Sequence, residues 1–152
     1  VIARRPRGPS GPGAGRGLRR RGAARAAFLL ARAWAFFWAS PWTFLGLVVA
    51  LLMRAAGGHL RWTQGALEVS VRRFRPGRRC PFAALTLGHV VIGVDRAALA
   101  RLRRHERVHV RQYERWGPLF VPLYLLASAW AWCRGRHPYL DNPFEIAARR
   151  DE

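Results

Sequence analysis

The chain has 152 residues, 27 of them basic against 8 acidic, for a net charge of +19. That length bounds it to one modest core rather than two. Cys80 and Cys133 are too few and too isolated for a disulfide framework or a cysteine-based zinc site, and no zinc-finger spacing or aromatic-basic signature points to a specific nucleic-acid partner.

All the basic residues are arginine, which together with abundant Ala, Gly and Pro reads as coding composition. The charge still predicts attraction to anionic lipid surfaces. A chain beginning at Val1 is expected either to use a non-standard start codon or to be a trimmed product.

Residues 1–23 are Arg, Gly, Pro and Ala and cannot build a core, so a disordered basic tail is expected there. Residues 24–55 form a hydrophobic helical segment expected to associate with a membrane. Within it, Ala26 to Met53 carries a single charge at Arg32, long enough to span a bilayer and too long for the apolar core of a signal peptide. Trp34, Phe36, Phe37, Trp38, Trp42 and Phe44 crowd its middle around Ser40-Pro41, a helix-start signal. Two helices meeting near Ser40, in the interface or as a re-entrant hairpin, fit this pattern; a single kinked span is the alternative.

Residues 56–152 form the third region. Arg61 to Val71 predicts a β-hairpin turning at Gln64-Gly65, Phe74 to Pro81 an arginine-rich loop, and Leu85 to Val94 one β-rich strand. Asp95 as N-cap and Gly117-Pro118 as a stop predict a helix from Arg96 to Trp116. Pro118 to Cys133 is an apolar helix, in the core or dipping into lipid. Asn142-Pro143 opens a last short helix through Glu145.

The central helix contains His105-Glu106-Arg107-Val108-His109, an HExxH sequence. Histidines four apart lie about 40° apart around a helix, so both imidazoles can reach one Zn2+ ion, and the adjacent glutamate can take a proton from the attacking water. His109, Gln112 and Trp116 share His105's face; Arg103, Arg104, Arg107, Arg111, Glu114 and Arg115 form an expected solvent side, and Glu114, about 180° from His105, is excluded as a ligand. The bland reading is an exposed helix carrying these residues by accident. The residues leave the third ligand open among His137, Asp141, Glu145, His59 and His89. Asn142 and Glu145 also have capping-box spacing, in which the glutamate only bonds back to its helix start.

HERVH followed by a helical NPFEIAAR resembles the gluzincin pattern of zinc metallopeptidases. Thr86 to Gly93, HERVHVRQYERWGP and HPYLDNPFEIAAR together resemble a group of bacterial membrane-associated zincin-like proteins, over about Leu85 to Arg149. The resemblance implies an α+β fold with a small zincin-like domain, hydrophobic membrane-associated helices and a bacterial cytoplasmic-membrane location. It implies His105, His109 and Glu145 as ligands of Zn2+, Glu106 as base, a peptide or protein substrate, and pairing of the substrate backbone with the Leu85–Val94 strand. His89, Tyr113, His137 and Tyr139 are the candidates to stabilise an oxyanion. The alternative is a non-catalytic membrane protein whose zinc clamps two helices, with His89 or His137 as fourth ligand.

Overall fold

The computed structural model describes residues 14–70 and 83–151, so the arginine-rich loop at Phe74–Pro81 and residues 1–13 of the basic tail lie outside the described residues. Residues 14–23 differ from the expected disorder. Helix α1 (Ala14–Trp38) starts there, continuing the helix of the apolar segment backwards across Gly15, Gly17 and Gly22, since extending a helix costs less than nucleating one. Its segment up to Trp34 forms a unit of its own, with Phe28, Leu29, Leu30 and Trp34 exposed and Arg32 lying 6.0 Å over the Phe28 ring.

The second unit, from Ala35 onward, contains everything else. Its helix α2 (Ser40–Ala55) begins with Pro41 in the first turn, so the break falls at Ala39, where the Ser-Pro signal places it. Strands β1 (His59–Thr63) and β2 (Ala66–Ser70) form the expected hairpin. Gln64 and Gly65 both have positive φ, 47° and 83°, the backbone that a two-residue turn needs to match the strands' twist.

The single strand expected over Leu85–Val94 is instead a second hairpin, β3 (Ala84–Leu87) and β4 (Val90–Gly93). The reversal occurs at Gly88, whose φ of 59° suits a residue without Cβ. An added Cβ would also lie 2.5 Å from the Thr43 backbone nitrogen, so the turn is pressed against the start of α2. The sheet order is β1-β2-β4-β3, with β2 and β4 parallel and the other pairs antiparallel.

Alternation of side chains across the strands gives the sheet two buried faces. Val69 and Val90 pack with Ala50 of α2, while Ala66 and Val91 pack with Leu99 and Val110 of helix α3 (Arg96–Trp116). Thus α2, part of the segment expected to associate with a membrane, covers one face of the sheet with Gly46 and Ala50. Phe44, Leu47, Leu51 and Leu52 remain exposed on its outer side.

A short 3-10 turn (Gly117–Leu119) connects α3 to α4 (Phe120–Cys133), and α5 (Pro143–Arg149) follows. The run Arg96–Cys133 is long and apolar enough to cross a membrane by composition, and the apolar window is only 17% buried. Leu125, Leu126, Trp130 and Trp132 of α4 are exposed. The fold is α+β: helices on both sides of a mixed four-stranded sheet.

Candidate metal centre

Helix α3 has the expected limits. Asp95 accepts the Ala98 N–H at 2.7 Å, and Gly117 closes the C-terminal end. Its middle turns inward, burying His105, Glu106, Val108, His109 and Val110. Trp116, on the same azimuth as the histidines, lies at the helix end and is exposed.

The expected solvent side of α3 is partly structural. Arg103 grips Glu68 of β2 through two bonds of 2.7 and 3.0 Å, and Arg107 donates to the Thr63 and Gln64 carbonyls at the first hairpin turn. Glu114 meets His89 Nε2 at 3.2 Å.

Helix α5 brings the third group. Asn142 caps it, accepting from Phe144 N at 2.9 Å, and its amide donates to the Tyr124 carbonyl and to Ser128 Oγ. Glu145 does not bond back to the helix start: the Asn142 N–H goes to the Tyr139 carbonyl, and the carboxylate faces His105, His109 and Tyr124. One carboxylate oxygen lies 3.3 Å from His105 Nε2 and the other 3.3 Å from His109 Nε2; the two Nε2 atoms are 3.2 Å apart. His105, His109 and Glu145 are all buried and form a group that could hold a metal ion.

The donor set fits a small divalent cation. Ligand atoms about 2.0 Å from a tetrahedral ion are about 3.3 Å from each other, the spacing seen here. Glu145 Oε2 is buried and has no well-formed hydrogen bond among the described residues. His109 is oriented for ligation by its other nitrogen, which bonds Gln112 Oε1 at 2.8 Å, while Gln112 Nε2 donates to the Phe144 carbonyl at 3.0 Å. That second contact fixes which end of the amide faces the ring. His109 Nδ1 therefore carries the proton and Nε2 presents its lone pair inward. Tyr124 of α4 donates to Glu145 Oε1 at 2.8 Å.

Glu106 lies beside this group and outside it. Its Oε2 accepts from Thr86 Oγ1 of β3 at 2.6 Å. Burial pushes its carboxyl above the ordinary range, against the opposing pull of Thr86 and the two imidazoles. Both carboxylates open into a cleft of about 800 Å³, walled mainly by apolar side chains such as Trp42, Leu85, Leu87, Leu102 and Phe120. Strand β3, at the sheet edge, forms one wall.

Of the expected oxyanion stabilisers, Tyr113, His137 and Tyr139 line this cleft and His89 does not. His89 sits in the β3–β4 turn, 2% exposed, stacked on Phe36 with ring centroids 3.8 Å apart and bonded to Thr43 and Glu114. Its position therefore rules it out both as donor to the cleft and as fourth ligand. Tyr113 donates its hydroxyl to the Thr86 carbonyl at 3.2 Å. His137 Nδ1 accepts from the Tyr139 and Leu140 N–H groups, which leaves its proton on Nε2 as a donor. The Tyr139 phenol is pushed up to about 12 by burial and by Glu145, so it too keeps its proton. Asp141 bonds the His137 N–H and His59 lies on β1; among the described residues neither joins the His105–His109–Glu145 group.

Thr86, Gln112 and Tyr124 are the supporting residues that sequence reasoning left without roles. Gln112, three residues after His109, is readable from helix spacing; Thr86 and Tyr124 reach the site only through tertiary packing. Comparison with protein-family models, curated proteins and solved structures finds no match.

Proposed function

We propose that this chain is a membrane-associated zinc hydrolase of zincin-like architecture, acting as a metallopeptidase. The observation that carries the proposal is the convergence of His105, His109 and Glu145 beside Glu106, at the floor of an apolar cleft. Zn2+ suits this donor set, and when bound it would polarise a substrate carbonyl and acidify water.

The chain's own residues account for the remaining steps. Gln112 and Tyr124 hold two of the ligands in orientation. Glu106, kept buried and aimed by Thr86, takes the proton of the attacking water and delivers it to the leaving amine. His137 Nε2–H is the cleft donor free in tautomer to meet a developing oxyanion, and the Tyr139 hydroxyl, which pairs with Glu145, is the second candidate once it turns from that carboxylate. The outer edge of β3 offers a strand for the substrate backbone, which narrows the expected pairing segment to the first half of that hairpin.

Exposed apolar residues on α2 and α4, and a charge of +19, support attachment to an anionic bilayer. One observation favours the rival reading of a structural clamp: the group joins α3 to the short α5. The lack of a fourth protein ligand among the described residues argues for a solvent position and so for catalysis.

Zinc stoichiometry and peptide-library cleavage on the same detergent-purified samples test the proposal. Glu106→Gln should keep zinc and lose hydrolysis, whereas His105→Ala and Glu145→Ala should lose zinc. Full hydrolysis by Glu106→Gln removes the base from the mechanism.

A further inference from the structure

Arg149 follows Glu145 by four residues on α5, so the two side chains lie on one helix face, about 6 Å apart along the axis. Both line the cleft. The Arg149 Nη2 donates to the Leu140 carbonyl, and its Cζ stands 6.0 Å from the Tyr139 ring centroid. Its Nη1 is buried and has no hydrogen-bond partner among the described residues. The cleft's own carboxylates do not serve it: Glu106 is held by Thr86, and Glu145 by His105, His109 and Tyr124. A guanidinium with an unused donor, on the border of a cleft whose walls are mainly apolar, is a receptor for an anion on an apolar ligand.

We propose that Arg149 receives the free carboxylate of a substrate's C-terminal residue, so that the site removes single bulky apolar residues from peptide ends. This rests on the metallopeptidase reading above. A terminal carboxylate is one residue beyond the scissile carbonyl, which matches the one-turn offset between Arg149 and the metal-binding carboxylate. In the reaction the peptide C–N bond breaks and the oxygen of water joins the acyl carbon. One water proton passes through Glu106 to the departing amine, and no redox partner is required. The apolar wall accommodates the side chain of the released residue.

The test is binding of N-acetylphenylalanine and of its amide to the full chain, with and without zinc, by calorimetry in fixed salt. The expected result is at least tenfold tighter binding of the acid. That preference should be lost in Arg149→Met, kept in large part in Arg149→Lys, and unchanged in Arg134→Met, which removes an exposed charge outside the cleft. Equal binding of acid and amide by the wild-type chain, undetectable binding of both included, overturns the proposal without recourse to any variant. So does an acid preference that survives in folded Arg149→Met. If the Arg149-dependent preference holds while a peptide library stays uncut, the carboxylate site stands and the hydrolase reading fails. Internal cleavage of peptides with no acid preference leaves the hydrolase standing and removes the carboxylate site.

Discussion

Gln112 accepts the Nδ1–H of His109 at 2.8 Å while its own amide nitrogen is tied to the Phe144 carbonyl, one residue before Glu145. One side chain thereby aligns a ligand on α3 with the segment that carries the ligand on α5. Gln112→Leu keeps the volume and removes both bonds. Zinc affinity should fall about 10- to 100-fold, the usual cost of losing such a partner, in competition with a fluorescent chelator. An unchanged affinity would mean that the ring is held by packing alone.

Thr86→Val deletes the 2.6 Å bond to Glu106. The bond favours the ionised carboxylate, so its loss must raise a carboxyl that burial already pushes up. A general base works only when ionised. The acidic limb of the kcat/KM profile should therefore move to higher pH, with activity falling about tenfold at the acid end and little at the alkaline end. A uniform loss across pH would assign Thr86 to substrate binding instead.

Asn142 is wholly buried and holds three partners: the Phe144 N–H, the Tyr124 carbonyl and Ser128 Oγ. Asn142→Ala should cost about 2–4 kcal/mol, the sum of a helix cap and the buried groups left unpaired, measured by denaturant unfolding of the metal-free chain. Asn142→Asp keeps the cap but faces the Tyr124 carbonyl with an acceptor. It should recover less than half of the loss.

On helix propensity alone, Gly46→Ala in the middle of α2 should stabilise by about 1 kcal/mol. The structure reverses the sign. The new Cβ would sit 2.7 Å from Val90 Cβ and 2.8 Å from the Leu87 carbonyl oxygen. Overpacking of this kind costs about 1–3 kcal/mol, so the variant should melt earlier than the parent. Stabilisation would show that α2 stands further from the sheet.

The limits of α3 and the cap of α5 were legible in the chain because caps and stop signals act within a few residues. So was the inward face of His105 and His109, which follows from helix geometry. The β3–β4 reversal was hidden because a two-residue Gly-His turn leaves no polar gap in an apolar run. The packing of α2 on the sheet was also hidden: an all-apolar helix reads the same whether its partner is a sheet or lipid. His89 illustrates the limit for single residues. Its placement beside Thr43 and Glu114 depends on that turn docking against α2, which no local pattern encodes.

Seven residues are too few to stay helical unaided, so α5 persists only through the groups that grip it from α3 and α4. Its ligand carboxylate is thus delivered by the least self-sufficient element of the fold. Amide exchange across Pro143–Arg149 should accordingly report cation occupancy, slow when the ion is held and fast after chelation, while the sheet's amides stay protected under both conditions.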